Sequence, residues 1–324
     1  YGEFPEKYRI LLWKTLLCLP QNRGAHFALK KQGTHSAFET LEDDYPIRNT
    51  VLLDRLSGLV SSLAHWTPLF GQVTYLPAFV FPFIKVFGAD ELSCFEAAAT
   101  ILSNWCKEWF EMFPGPPLQL LARVEDSLIK ADPGLAQAMS KTGGVQVHAW
   151  TLLQSLFSEV LSRHEWLKLF DHVLSNPPSF MECFVVAYLS YFRQSIMSAP
   201  TKDEVYLFFR RSEPVNINQV LLRAYGLKRA RQTPHIWRLD ALPQGDSYPI
   251  FASYPEHIVN FQIHQYERLS AEEKELHRKR ALLDEMVTKK QSKEALAGMA
   301  KDGHLKEVAQ RQSCILYTSD AADE

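Results

Sequence analysis

Apolar residues recur at intervals of three and four along almost every segment up to about residue 230, and Pro, Gly or Asn closes each run. That period lines one face of a helix, so the pattern predicts an all-α domain. The first helix is expected near 6–19, with Ile10, Trp13, Leu16 and Leu17 on one face and a stop before Pro20. Another is expected from Thr50 to Trp66, carrying the stripe Leu52, Leu56, Leu59, Leu63 and Trp66. Residues 90–113 open with Asp90 and Glu91, carboxylates that favour a helix N-terminus. They carry Phe95, Ile101, Leu102, Trp105, Trp109 and Phe110 before Pro114-Gly115-Pro116-Pro117 ends the run, which predicts one long central helix. Further helices are expected near 117–131, 145–161, 162–176, 178–198, 202–211 and 216–230. No strand-type alternation recurs, and no fixed repeat period is visible.

The pattern changes after residue 230. Residues 231–254, with Pro234, Pro243, Gly245 and Pro249, read as an irregular connector. From about Pro255 the chain is rich in Glu, Lys and Arg, and Leu269, Leu276 and Leu283 are spaced by seven, with Met286 three further on. That spacing reads as the start of a coiled coil, interrupted by Gly298 and Gly303; a single solvated helix is the alternative. Residues 313–324 fit neither heptads nor a core and read as a translated sequence artefact. The expected organisation is a helical domain over 1–200, helices and connector over 201–254, a charged helix over 255–312, and the artefact over 313–324. A start at Tyr1 without Met reads as a fragment of something longer.

Composition narrows the function more by exclusion than by indication. In 324 residues, 46% hydrophobic and 12% aromatic, there is ample material for a core. Thirty-five basic residues against 37 acidic give a formal charge of -2, so no basic field argues for nucleic acid or for an acidic membrane surface. The longest apolar run, from Tyr75 to Phe87, is too short for a bilayer and is broken by Pro77, Pro82 and Lys85, so a buried helix is expected rather than a membrane span. The five cysteines form no CxxC pair and no secretory leader is seen, which points to a reduced, cytosolic compartment.

Metal and cofactor chemistry finds no support. The eleven histidines include no HExxH, and His65, His148 and His164 read as satisfied, partly buried side chains rather than ligands. Gly143-Gly144 is an isolated pair and not a phosphate loop, and no serine stands in a nucleophile-elbow context. Trp105, Trp109, Trp150 and Trp166 fall at helical spacing, as core residues do. Lys228-Arg229-Ala230-Arg231 reads as a solvated helix end.

Four stretches point to a family: Phe4-Pro5 to Arg9 with Trp13; Ala37 to Pro46; the helix through Trp66 leading to Tyr75; and Trp150 to Phe157 followed by Leu169-Phe170-Asp171. In this order they resemble the TBC domain, the Rab GTPase-activating fold, over roughly residues 1–200. The resemblance implies a multi-helical domain that contacts a Rab-family small GTPase. Active members supply an Arg from IxxDxxR and a Gln from YxQ. Counting back from Pro46 places Ala37 at the Ile position, Thr40 at the Asp position and Asp43 at the Arg position; the second motif reads Tyr75-Leu76-Pro77.

An arginine finger contributes a factor of about a thousand to a hundred thousand, roughly 4–7 kcal/mol at the transition state. Asp43 would face phosphate with like charge, and Pro77 has neither a side-chain donor nor a backbone N–H to hold the attacking water. The expectation is therefore a domain with no catalytic residues, acting as a scaffold. Asp43 and Asp44 would be solvated loop carboxylates, and Pro77 would begin a helix. The alternative is an active GTPase-activating protein that uses noncanonical residues, with Arg48 as the nearby guanidinium. Similarity to one WD-repeat-containing member of the family further implies a place at the centrosome and centriolar satellites in cilium assembly, with centrosomal and ciliary proteins as partners through the coiled coil.

Overall fold

In the computed structural model, residues 2–199, 201–230, 237–245, 248, 264, 267–291 and 306 are described. Fourteen α-helices are laid out in one body: α1 (Glu6–Leu16), α2 (Arg23–Lys30), α3 (Leu41–Asp44), α4 (Thr50–Trp66), α5 (Leu76–Phe87), α6 (Glu91–Asn104) and α7 (Leu118–Ala131), followed by α8 (Pro133–Ser140), α9 (Val145–Gln154), α10 (Arg163–Leu174), α11 (Ser179–Tyr191), α12 (Arg193–Ser198), α13 (Lys202–Phe208) and α14 (Ile217–Ala230). Short 3-10 turns stand at Ser36–Phe38, Pro68–Gln72 and Lys107–Phe110. No strand occurs among the described residues.

Local chemistry starts these helices. Backbone N–H groups of the first turn are accepted by Asn22 for α2, Asn49 for α4, Asp90 for α6, Asp132 for α8 and Thr201 for α13. At α10 Ser162 and Glu165 form a reciprocal capping box. Pro77 and Pro133 occupy the first turns of α5 and α8, where a missing N–H costs nothing.

Three expected helices are shorter than their apolar pattern. The single helix expected over 90–113 ends at Asn104; residues 107–110 are a 3-10 turn. Trp105 is the C-cap, and its indole Nε1 is tied to α10 and its end by donating to the carbonyls of Val173 and Asn176, each at 3.2 Å. The helix expected over 145–161 ends at Gln154, where Leu156 and Phe157 take positive φ values of 49° and 64° and bury both side chains. The one expected over 178–198 divides at Phe192 into α11 and α12. In each case tertiary contacts outweigh a period that continues through the break.

The helices pack in two groups. α2, α4, α5 and α6 form one, and α7, α8, α9, α11, α12 and α14 form the other; α5 against α9 joins them, as does α10, which packs on α1 and α14 and meets Phe83 of α5. The join is held by a buried carboxylate. Asp171 on α10 accepts from Arg9 Nε at 3.1 Å on both oxygens, from Trp13 Nε1 at 2.8 Å and from the Phe4 backbone N–H at 2.8 Å. Arg9 Nη2 returns a bond to the Phe4 carbonyl at 2.9 Å. Above this clasp Trp13, Phe83, Trp166 and Phe170 interlock, with Trp166 stacked on Phe170 at 4.0 Å.

The body continues past residue 200. α14 lies along α11, and the described part of the connector runs back over the body. Trp237 meets Trp105 at 4.9 Å, Asp240 and Asn104 exchange hydrogen bonds of 2.7 and 3.0 Å, and the Tyr248 hydroxyl donates to buried Glu96 at 2.9 Å. The first compact unit spans Tyr1–Ile263 and a second spans His264–Glu324. In the second, residues 267–291 are one helix whose side chains are exposed almost throughout. The glycines expected to interrupt it, and the artefact expected over 313–324, lie outside the described residues.

Candidate functional site

The segment from His35 to Arg48 carries the first expected motif. His35 begins it: its backbone N–H donates to Ser61 Oγ at 3.0 Å, and its Nδ1 accepts from the Ala37 N–H at 3.2 Å. Its ring faces His65 at 5.0 Å, and burial, with the second imidazole, lowers its pKa. Phe38 and Leu41 are the buried anchors. Between and after them Glu39, Glu42, Asp43 and Asp44 stand in solvent, and within α3 the Asp43 N–H donates to the Thr40 carbonyl at 3.0 Å. Asp43 and Asp44 are exposed carboxylates, but they close the short helix α3 rather than lying in the expected loop. Tyr45 is half-buried; burial raises its hydroxyl pKa, and the carboxylates of Asp44 and Glu159 add to it. Arg48 is exposed just before Asn49, which caps α4.

The second motif enters α5. Tyr75 packs edge-on against Trp150 at 5.3 Å, Trp150 against Trp109 at 5.4 Å, and Trp109 against Phe79 at 5.9 Å, so the start of α5 is fixed by an aromatic chain. Burial, with Cys106 nearby, pushes the Tyr75 hydroxyl well above the ordinary tyrosine value. Pro77 is buried in the first turn of this helix and offers no donor.

The turn that precedes the second motif lies against the start of the first. A Cβ placed on Gly71 would stand 3.0 Å from His35 Cε1 and 3.7 Å from Ala37 Cβ, so the turn at Pro68–Gln72 runs directly against the start of the first motif. A side chain here would press on the ring that caps residues 36–38, which gives Gly71 a steric reason. The sequence neighbours of Asp43 are the exposed carboxylates Glu39, Glu42 and Asp44, with Arg48 the nearby cation in sequence. A cavity of about 320 Å³ between α2, α4, α5 and α6, lined by His26, Arg55, Gly58 and Cys94 among others, includes neither Asp43 nor Pro77. Among the described residues no group of three or more His, Cys, Asp or Glu could hold a metal ion, and no helix is long and apolar enough to cross a membrane.

A sequence profile described as the Rab-GTPase-TBC domain matches residues 6–197. The chain belongs to this TBC domain family. It is 42% identical over 292 residues to TBC1 domain family member 31 of Xenopus laevis, covering 88% of this chain and 27% of that protein. To TBC1 domain family member 31 of Homo sapiens it is 41% identical over 297 residues, covering 89% of this chain and 28% of the relative. The chain therefore spans little more than a quarter of the length of these relatives. Among solved structures, the Ypt/Rab-GAP domain of Gyp1p superposes with a TM-score of 0.61 at 14% identity, over 71% of this chain and 90% of that one. At that identity the likeness carries the all-α TBC fold alone.

Other expected site residues resolve into packing. Trp105, Trp109 and Trp166 are buried in the core of the TBC body and Trp150 packs on it. His148 is buried against Phe209, whereas His164 is exposed beside Glu3, contrary to the partly buried reading, because it sits in the solvent-facing first turn of α10. Lys228 is not simply solvated: its Nζ donates to Asn176 Oδ1 at 2.5 Å. Missed in the sequence were Gly71, whose neighbours come from 36 residues away, and Asp171, whose motif was visible but whose partners were not.

Proposed function

We propose that this TBC domain is catalytically degenerate, with Asp43 at the arginine-finger position and Pro77 at the glutamine-finger position, and that it serves as an interaction scaffold. The observation that carries this reading is the pair of side chains at the two motif positions: an exposed carboxylate flanked in sequence by other carboxylates, and a buried proline that cannot orient water. Phosphoryl transfer needs a positive charge on the γ-phosphate oxygens and a polar group on the nucleophile. Neither residue supplies its part. A Rab-family GTPase remains the partner that the family suggests, bound without acceleration of hydrolysis. Placement at the centrosome and centriolar satellites, in cilium assembly, belongs to the same proposal and rests on resemblance to relatives of which this chain covers about a quarter.

A second reading keeps activity through noncanonical residues. It is favoured by one observation: Arg48 is exposed and forms no hydrogen bond or ion pair among the described residues. Phosphate release across a panel of GTP-loaded Rabs separates the two. The scaffold reading expects intrinsic rates with the wild-type chain, together with measurable binding to at least one Rab. Acceleration that is lost in Arg48→Ala would overturn it. Restoring both groups, as Asp43→Arg with Pro77→Gln, is expected to raise hydrolysis of the bound Rab by at least about tenfold if the segments still stand in register, well below a full finger's contribution.

A further inference from the structure

Residues 267–291 form a helix in the second compact unit that leaves an apolar stripe in solvent. Leu269, Leu276, Leu283 and Val287 follow spacings of seven, seven and four and are all more than half exposed. On a heptad these are d, d, d and a, and the two a positions between them are Glu273 and Arg280. Off the stripe, three pairs form within the helix: Lys279 with Glu275 at 2.7 Å, Lys289 with Glu285 at 2.6 Å, and Arg268 with Glu272 at 3.7 Å, while Lys274, Arg278 and Asp284 project into solvent. Glu273 and Arg280, on the apolar stripe, make no hydrogen bond or ion pair among the described residues. One acid and one base stand unpaired, two turns apart, within an exposed leucine seam.

We propose that this seam is covered by a second copy of the same chain, running antiparallel. A parallel pair packs a against a and d against d, which would set Glu273 on Glu273 and Arg280 on Arg280 inside the seam. An antiparallel pair packs a against d. The layers then read Leu269 on Val287, Glu273 on Leu283 and Leu276 on Arg280, each occurring twice about the two-fold axis. Glu273 of one copy lies one layer from Arg280 of the other, so both unpaired charges gain a partner and every like-charge core layer disappears. At the rim Lys279 meets its own copy, screened by the Glu275 that already holds it. A parallel pair would gain a rim contact between Lys279 and Asp284, but exposed pairs of this kind contribute little. The orientation is therefore selected chiefly by repulsion in the alternative.

The test uses the full 324-residue chain. Sedimentation equilibrium is expected to show a monomer–dimer equilibrium at concentrations up to about 100 μM, the range that a short, polar-interrupted seam calls for. Glu273→Arg is expected to weaken the dimer about tenfold, because it faces Arg280 of the second copy with like charge, and Glu273→Arg with Arg280→Glu is expected to restore it to within about twofold. In a parallel dimer neither change would matter, since like charges remain in both layers. Orientation is read by oxidation in a Cys18→Ser, Cys314→Ser background. Mixed Leu269→Cys and Val287→Cys chains should cross-link to each other, while Leu276→Cys alone should not. A monomer throughout the range, self-cross-linking of Leu276→Cys, or a dimer indifferent to Glu273→Arg would each overturn the proposal. The substituted positions within 267–291 are all exposed, and circular dichroism of each variant checks that the helices are retained.

Discussion

Asp171 is the residue on which the TBC body closes. Its carboxylate is buried and accepts from the side chains of Arg9 and Trp13 and from the backbone of Phe4, across 162 positions of sequence in the case of Arg9. Replacing it leaves the Arg9 Nε–H and the Trp13 indole N–H without their acceptor and the buried guanidinium without its carboxylate, and breaking a buried pair from one side costs about 3–5 kcal/mol. Asp171→Ala should therefore lower the urea midpoint sharply, and a double-mutant cycle with Arg9→Ala should show that most of the loss is shared. The linear chain displayed Arg9, Trp13 and Asp171 within separate motifs but carried no sign that they meet, because a long-range clasp leaves no local period.

Buried imidazoles set a pH dependence at the same scale. Burial lowers the pKa of His26, His35 and His172 from the ordinary 6.5. A group whose folded pKa is lowered and whose charged form is cationic is protonated more readily in the unfolded chain. Its contribution is thus fully present above about pH 7 and is lost as pH falls through 6.5 toward the lowered folded values. Asp90, held below the ordinary 3.8, opposes burial with bonds from Lys14 and Ser93; its contribution is lost only in stronger acid. Chemical denaturation at pH 7.5 and 5.5 should show lower stability at 5.5, and replacing His172 with Gln should reduce that difference.

At the scale of the element, helix starts were legible and helix ends were not. Starts depend on a capping side chain within three residues, such as Asn49 for α4 or Asp90 for α6, which a sequence displays directly. Ends were fixed from outside: by the Trp105 indole reaching Val173 and Asn176, and by Leu156 and Phe157 turning inward at positive φ. α2 and α8 escaped notice because each is only eight residues long, too short to repeat a stripe. The capping box of α10 offers a check on this view. Ser162 and Glu165 bond reciprocally, so Ser162→Ala should cost about 1 kcal/mol of global stability. Amide exchange should localise the effect to the first turn of α10, without disturbing the Asp171 clasp two turns further on.

For the whole molecule, the family match and the physical domain end in different places, and the difference has a measurable consequence. The TBC profile stops at residue 197, close to the boundary of 200 read from the sequence, yet α14 lies along α11 and buries Ile217, Val220, Leu221 and Ala224. Tyr225 from the same helix bonds His172 and Asn176, each at 2.9 Å. A chain ending at residue 199 would expose the apolar side of α11, which includes Phe180, packed at 4.8 Å on the Tyr225 ring. Each large aliphatic side chain returned to water costs about 1.5–3 kcal/mol, so three of them approach the whole stability of an ordinary domain. Truncation after residue 199 should therefore yield insoluble or molten material, recognisable by dye binding and loss of near-ultraviolet dichroism. Truncation after residue 230 should fold but melt lower than truncation after residue 263, because it removes Trp237 from Trp105 and Tyr248 from Glu96. In that shorter chain Glu96 keeps only its bonds from the 21–22 segment. Full stability of the 1–199 chain would mean that α14 and the connector decorate the TBC fold rather than complete it.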